Sequence, residues 1–176
     1  MSKSKKANRI NVENLVYCKL DKDDTSGTAY GEVKELGKVM QLQLTPAVAS
    51  GELYGEGVQT EKLTLLTGIA AAVDVNKIPI ESRAEILGHS YQDGVLIEKA
   101  GDQPPYIAVG YRVPQTNGKA EYVWLLKGQA VPINDNPKQS EGSINFSTDT
   151  VTINFIPCEF DKELRYYADS DNDAFT

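Results

Sequence analysis

Few residues of this chain have the types and spacing that catalysis requires. His89 is the only histidine, so a Ser-His-Asp or Cys-His device would depend on it. It directly follows Gly88, which is predicted to end a helix, and a histidine there more often contacts the helix dipole or makes a capping bond. We therefore expect His89 to be structural and the chain to have no catalytic residue.

The two cysteines do not indicate redox or metal chemistry. Cys18 and Cys158 lie far apart in the sequence, without the paired spacing of zinc sites or redox motifs. Neither has a sequence context that would lower the pKa of its thiol. We expect both to be reduced and structural, and a disulfide between them is the alternative if their strands are neighbours.

One acidic segment has calcium-like spacing. Asp21, Asp23, Thr25 and Glu32 match positions one, three, five and twelve of a calcium-binding hand. Ser26, however, stands where the sharp turn of that loop requires glycine. Because the flanking residues have the pattern of strands, the prediction is an ordinary turn.

A second acidic segment alternates in the same way. It holds Asp169, Asp171 and Asp173, but Ala174 stands where glycine would and no twelfth ligand follows. We expect residues 169–176 to form an acidic C-terminal tail. The sequence also lacks the glycine-rich motifs that cradle phosphates, so no metal or cofactor is predicted.

Composition limits the classes of function. A chain of 176 residues has the length of a single domain. On folding it can bury about 70 % of the surface that its unfolded chain exposes. Its net charge of −7 argues against nucleic-acid binding, since binding to phosphates requires clustered Lys and Arg. No apolar run has the length of a spanning helix and no secretory segment is recognised, so we expect no membrane insertion.

The start of the sequence departs from this acidic character. Residues 1–9 hold the cations Lys3, Lys5, Lys6 and Arg9. We expect a flexible basic arm here, ahead of a folded domain at 10–168. The alternative is that both ends of the chain become ordered only on assembly.

Turn residues separate a series of short apolar stretches. Asp93-Gly94 and Asn117-Gly118 predict hairpin turns, and Pro79 and Gly88 bound a short helix. Pro46 is predicted to stop a strand and to begin a long, flexible loop at 46–57. The predicted strands cover residues 15–20, 30–36, 39–45, 63–75 (as two strands or one bent strand), 95–98, 106–113, 121–127, 151–155 and 163–168.

This series predicts a mainly β fold. About eight or nine antiparallel strands with one short flanking helix are typical of a β-sandwich or a partly closed barrel.

Two stretches alternate apolar residues with uncharged polar ones, which predicts sheet faces without charge. In the first, Met40, Leu42 and Leu44 alternate with Gln41, Gln43 and Thr45; in the second, Ile144, Phe146, Val151, Ile153 and Phe155 alternate with Asn145, Ser147, Thr152 and Asn154. An ordinary solvent face would favour Lys and Glu. These polar faces therefore indicate contact with another subunit or with cargo that must slide past.

The order of motifs along the chain resembles the major tail tube protein of long-tailed, non-contractile phages of Gram-positive bacteria. The motifs are LVYCKL at 15–20, YGEVK at 30–34, LY at 53–54, IP at 78–79, ILGH at 86–89, YQDGV at 91–95, PYIAVGY at 105–111 and YVWLLKG at 122–128. The resemblance covers about residues 10–168.

The resemblance implies a sandwich of two sheets that assembles as hexameric rings, and these rings stack into a hollow tube. The tube would enclose the tape-measure protein, contact the tail terminator and distal tail proteins, and conduct DNA during ejection without binding it specifically. The protein would be assembled in the host cytoplasm and reside in the virion tail. A wall free of Lys and Arg suits this task, because each neutralised phosphate would add affinity and slow the DNA.

Two groups of site residues follow. We expect Gln41, Gln43, Thr45, Asn145, Ser147, Thr152 and Asn154 to face the lumen or a neighbouring subunit. We expect the 46–57 segment to reach a neighbouring ring, with Leu53 and Tyr54 as apolar anchors beside Glu56. The alternative for Tyr54 is that it folds back on its own core.

Other classes remain open. A carbohydrate-binding sandwich would use exposed aromatic residues, with Tyr106, Tyr111, Tyr122 and Trp124 as candidates, although their apolar strands favour core packing. A tube protein of a contractile injection or secretion system would share the architecture. An enzyme is the third alternative.

Overall fold

The computed structural model describes residues 7–135, 137, 139, 142, 146–172 and 174. Within these residues the chain forms eleven strands and one helix. They are β1 (Glu13–Asp24), β2 (Gly27–Tyr30), β3 (Lys34–Glu35), β4 (Val39–Gly55), β5 (Val58–Val75), α1 (Ile80–Leu87), β6 (Ser90–Gln92), β7 (Val95–Ile97), β8 (Tyr106–Pro114), β9 (Ala120–Ala130), β10 (Asp149–Phe155) and β11 (Arg165–Asp169).

One antiparallel sheet holds nine of the described strands. Its order is β2-β1-β8-β9-β10-β5-β4, with β11 beside β9 and β3 beside β1, while β6 and β7 form a separate two-stranded sheet. β1 also contacts β4, the two lying far apart in this order, so the sheet curls and its halves pack on one core. The predicted class, mainly β with one short helix, is confirmed.

The core is built from alternating residues of both halves of the sheet and from the inner side of the helix. Its fully buried members include Leu15, Tyr17, Val73, Val75, Ile86, Val109, Val123, Leu125, Val151, Ile153 and Phe155. β5, β8 and β10 each contribute every second residue, as expected for strands with one face in a core.

The predicted turns and helix are confirmed. Asp93 and Gly94 both have positive φ (51° and 81°) between β6 and β7, as a tight hairpin turn requires. Gly88 ends α1 with a φ of 74°, and the backbone N–H of His89 donates to the Ala84 carbonyl there. Glycine adopts this left-handed conformation without the steric cost of a Cβ.

The prediction of a flexible loop at 46–57 was wrong. β4 continues through Pro46 to Gly55, and β5 returns from Val58 as one strand, so the segment is one side of a long hairpin. Pro46 did not stop the strand because, within the described residues, β4 pairs only with β5, and an edge strand tolerates a residue without an N–H group.

The apolar alternation predicted Met40 on the same face as Leu42 and Leu44, and this prediction was wrong. The pairing of β4 with β5 shifts by one residue between Val39 and Gln41, so Met40 lies in a bulge and is 60 % exposed. A bulge leaves its extra residue unpaired and changes which side chains face the core. Leu42 and Leu44 do pack against the core, as predicted.

The alternating stretch that begins at Ile144 predicted a sheet face ahead of β10, but its described residues 146–148 form no strand. Ile144 and Asn145 lie outside the described residues, and Phe146 precedes β10 with 87 % of its side chain exposed. β5 ends at Val75, which pairs with Asp149. No length of β5 therefore remains to pair with residue 146.

The ends of the domain are attached more closely than predicted. Lys3, Lys5, Lys6 and Asp173 lie outside the described residues. The Ile10 N–H donates to the Pro114 carbonyl at 3.0 Å, and the Ser170 N–H donates to the Ala120 carbonyl at 3.0 Å. Residues near both predicted boundaries thus contact the β8–β9 hairpin.

Candidate functional site

The histidine is bound between two carboxylates. His89 Nδ1 lies 2.8 Å from Asp102 Oδ2, and His89 Nε2 lies 3.3 Å from Glu98 Oε1. The hydrogen bond with His89 lowers the pKa of the Asp102 carboxyl, and the Lys99 N–H donates to the same oxygen. Both nitrogens of the imidazole thus have partners that fix its position.

The cysteines are free and buried. Burial raises the pKa of both thiols, Cys18 and Cys158, which keeps them protonated and weakens them as nucleophiles. Among the described residues, no group of three or more His, Cys, Asp or Glu is placed to hold a metal ion. In the calcium-like segment, Asp23 instead pairs with Lys127 at 2.6 Å.

Five of the predicted face residues lie together on one face of the sheet. The pairing of β4, β5 and β10 forms three cross-strand rows, which are Gln41–Asp74–Thr150, Gln43–Ala72–Thr152 and Thr45–Ala70–Asn154. We call these nine residues the polar face. Side chains directly opposite one another on neighbouring strands lie on the same face of a sheet, so the structure joins two patches far apart in the sequence.

The polar face holds one charged residue, which has a local partner. Thr150 Oγ1 donates to Asp74 Oδ1 at 2.6 Å. Asn145, predicted for this face, lies outside the described residues. Ser147 lies at the border of the face, where it lines a cavity of about 390 Å³ with Thr150 and Thr152.

The far half of the β4–β5 hairpin, residues 47–67, is exposed throughout its described side chains. We call it the distal hairpin. Glu56 and Gly57 close it with positive φ values of 52° and 79°. Leu53 is 61 % exposed and Tyr54 is 60 % exposed. Tyr54 therefore does not fold back on its own core, and the alternative placement is wrong.

The pairing register divides the distal hairpin into two unlike faces. One face carries Ala49 opposite Leu65, Gly51 opposite Leu63, and Leu53 opposite Glu61. Leu63 and Leu65 are each 55 % exposed. Ala49, Leu53, Leu63 and Leu65 form an apolar stripe with no covering segment among the described residues.

The opposite face of the distal hairpin is apolar at its base, where Val48 lies opposite Leu66, and charged toward its tip. Glu52 lies opposite Lys62, and Lys62 Nζ lies 3.0 Å from Glu52 Oε1. The Tyr54 hydroxyl donates to Glu52 Oε2 at 2.9 Å. The hydrogen bonds from Lys62 and Tyr54 lower the pKa of Glu52. Leu53 and Tyr54, predicted as two anchors of one kind, therefore lie on opposite faces.

Beyond residues 47–48 the hairpin also carries apolar residues on the side on which the polar face lies. Nearer the core, Leu42 and Leu44 pack inward and the polar face points away from the core. Beyond a register shift after Ala47, the apolar stripe continues the side on which the polar face lies. A partner of the stripe must therefore approach from the side opposite to this chain's own core.

A glycine makes the base of the distal hairpin possible. A Cβ on Gly68 would lie 2.7 Å from the Phe155 carbonyl oxygen, a backbone atom. The adjoining Thr67 hydroxyl donates to the Ala47 carbonyl at 3.1 Å. Only glycine permits β10 to approach the hairpin so closely where it leaves the core.

Sequence reasoning missed Ala49, Leu63 and Leu65. The apolar pattern places Leu63 and Leu65 in one apolar stretch ending at Val75, although Thr64 alternates with them in the sequence. Treating Glu56-Gly57 as a hairpin turn would have placed these leucines opposite residues 49–53. The period-two pattern around that turn was the available signal.

The four aromatic residues that were candidates for carbohydrate binding do not form one exposed surface. Tyr111 is a core residue and 8 % exposed. The ring of Trp124 lies against Gly110, where a Cβ would meet it at 2.7 Å. Tyr106 and Tyr122 are each 37 % exposed, and Tyr106 is covered in part by Lys127, whose Nζ lies 4.8 Å from the ring centre.

Comparison with models of protein families and with curated proteins finds no match for this chain. In the part of the chain that the structure describes, no helix has the length and apolar character to cross a membrane.

Proposed function

We propose that this chain is a structural subunit that assembles with copies of itself into a tube. The observation that carries the proposal is the distal hairpin, which exposes an apolar stripe with no covering segment in the described chain. Exposed apolar surfaces of this kind mark sites of association. Burying a leucine side chain contributes about 1.5–3 kcal/mol, and each added copy would repeat that gain.

The edge of the sheet supports the same proposal. β4 is 17 residues long and has a paired strand on only one side among the described residues. A long open edge invites pairing with another chain. Neighbouring copies around a ring could pair along these edges and so remove them from solvent.

The polar face suits the wall of a conduit. Its side chains are amides, hydroxyls and small apolar groups, and its one carboxylate, Asp74, repels DNA rather than binding it. Because five predicted residues from β4 and β10 converge on this face, we assign it to the lumen or to the contact between neighbours. A reconstruction of the tube that placed Gln43 and Thr152 on its outer surface would contradict this assignment.

The motif order in the sequence refines the proposal to the major tail tube protein of a long-tailed, non-contractile phage. In that role hexameric rings would stack around the tape-measure protein and end at the tail terminator and distal tail proteins. The tube would pass DNA during ejection. Its place would be the virion tail, after assembly in the host cytoplasm.

Two neighbouring residues provide a matched test. Leu53→Ala removes a side chain of the apolar stripe, whereas Tyr54→Ala removes an equally exposed one from the charged face. Purified variants are compared with the wild type by sedimentation and negative-stain microscopy. We expect tubes from the wild type and from Tyr54→Ala, and a loss of tubes from Leu53→Ala. Wild-type protein that remains a single copy at millimolar concentration would contradict the proposal.

A further inference from the structure

Two exposed apolar regions lie at opposite ends of β5. The apolar stripe lies beside the start of the strand at Val58, and α1, β6 and β7 follow its end at Val75. We propose that the apolar stripe of one copy docks on the α1–β6–β7 end of the next copy, which makes a head-to-tail contact. This inference rests on the proposed function, because it names the surface that receives the distal hairpin.

The receiving surface is the outer face of the small sheet. α1 packs against β6 and β7. Tyr91 of β6 pairs with Leu96 of β7, and Leu96 is half-buried. Val95 and Ile97 alternate with Leu96 and so lie on the face turned away from that contact. They are 57 % and 42 % exposed. The small sheet therefore packs one face on the helix and leaves an apolar face uncovered by the described chain.

The two apolar regions of one copy cannot cover each other. From Leu65, the stripe residue nearest the core, β5 continues for ten residues to Val75, which is about 33 Å at about 3.3 Å per residue. The stripe and the outer face of the small sheet therefore meet only between different copies. Two unlike patches that bind each other form a heterologous contact, which propagates along an axis instead of closing as a dimer.

Charge complements this contact. Near the tip, Glu56 and Glu61 are exposed and form no ion pair with any described residue. Lys38 and Lys77 are likewise without an ion pair among the described residues. Together with Glu35, these lysines line a groove of about 450 Å³ beside Pro79, the residue before α1. An acidic tip that approaches this end meets two available cations.

Two double variants test the contact in the full chain. The stripe variant, Leu53→Asp with Leu63→Asp, disables the docking hairpin. The end variant, Val95→Asp with Ile97→Asp, disables the receiving face. We expect each variant alone to lose sedimenting filaments. We expect a 1:1 mixture to form pairs of particles, because the intact hairpin of one variant still fits the intact end of the other.

Controls separate docking from folding. Gln59→Asp changes an exposed residue on the charged face of the distal hairpin and should leave filaments unchanged. Circular dichroism and thermal unfolding of each variant should match those of the wild type. A variant that fails this check is replaced by charge reversal, in which Glu56→Lys with Glu61→Lys prevents stacking and added Lys38→Glu with Lys77→Glu restores it.

The outcomes are distinguishable. Wild-type filaments together with undiminished filaments from the end variant overturn the head-to-tail contact and leave the proposed function intact. Pairs in the mixture, or restoration by the combined charge reversal, support the contact. Wild-type protein that forms neither rings nor filaments overturns the proposed function itself.

Discussion

Replacing Asp23 by Asn should destabilise the folded chain strongly, because this carboxylate is buried against a lysine. Its side chain is 5 % exposed, that of Lys127 is 12 % exposed, and the two groups lie 2.6 Å apart. Asp23 also accepts hydrogen bonds from the backbone N–H groups of Glu159, at 2.9 and 3.0 Å, and Phe160, at 3.2 Å. The pair therefore ties the end of β1 to β9 and to the segment after β10.

The expected cost follows from the partner left behind. Removing one member of a buried ion pair typically costs about 3–5 kcal/mol, because an uncompensated charge remains. Asn still accepts backbone hydrogen bonds and the Tyr106 ring still faces Lys127, so we expect the low end, about 3 kcal/mol. For a chain of this size that lowers Tm by about 6–12 °C. Urea unfolding followed by the fluorescence of Trp124 measures the free energy directly.

The effect should depend on pH. Burial alone would raise the pKa of Asp23, but the hydrogen bonds from Lys127, Glu159 and Phe160 outweigh it and lower that pKa below its ordinary value. The stabilisation is therefore present above the unfolded pKa, about 3.9, and is lost as pH falls through the lower folded value. The stability curves of wild type and Asp23→Asn should converge under acid.

Two comparisons make the test specific. Lys62→Met removes a cation from an exposed pair, whose lysine side chain is 59 % exposed, and should not change Tm measurably. Asp23→Asn combined with Lys127→Met removes both charges and should be more stable than Asp23→Asn alone. A loss below about 1 kcal/mol for Asp23→Asn, or no recovery in the double variant, would refute this reasoning.

Four further substitutions test the packing by thermal unfolding. Phe155 is 1 % exposed, and Phe155→Ala should lower the free energy of unfolding by about 3–5 kcal/mol. Phe146 is 87 % exposed, and Phe146→Ala should leave Tm unchanged. Equal effects of the two variants would contradict the assigned core. Gly110→Ala places a Cβ 2.7 Å from the Trp124 ring, so we expect a loss of about 1–3 kcal/mol and altered tryptophan fluorescence, and an unchanged spectrum would argue against that packing. Gly68→Ala meets backbone at 2.7 Å and should cost a similar amount, about 1–3 kcal/mol; a stable variant would show that β10 does not approach the hairpin as described.

Local sequence patterns predicted much of the fold. Asp93-Gly94 predicted its hairpin because a tight turn needs positive φ at both positions, and Gly88 predicted the end of α1 for the same kind of reason. Leu42 and Leu44 predicted an inward face because strand side chains alternate. Each of these signals lies within a few residues of the feature that it specifies.

Signals that depend on a neighbouring strand predicted the wrong structure. Pro46 indicated a strand end, but β4 is an edge strand and continues past it. Met40 fitted the apolar alternation, but a bulge against β5 turned it to solvent. Phe146 fitted a strand that has no remaining partner in β5. In each case the outcome depended on pairing between residues distant in sequence.

The candidate site likewise has a part that the sequence predicts and a part that depends on the tertiary structure. Sequence alone determined that Gln41, Gln43 and Thr45 share one side of a strand, because alternation is a property of a single chain segment. Only the tertiary structure placed Thr152 and Asn154 beside them, since β5 lies between β4 and β10. It also decided that Leu53 and Tyr54 face opposite sides of a projecting hairpin, since pairing register, a contact between segments, fixes which side chains share a face.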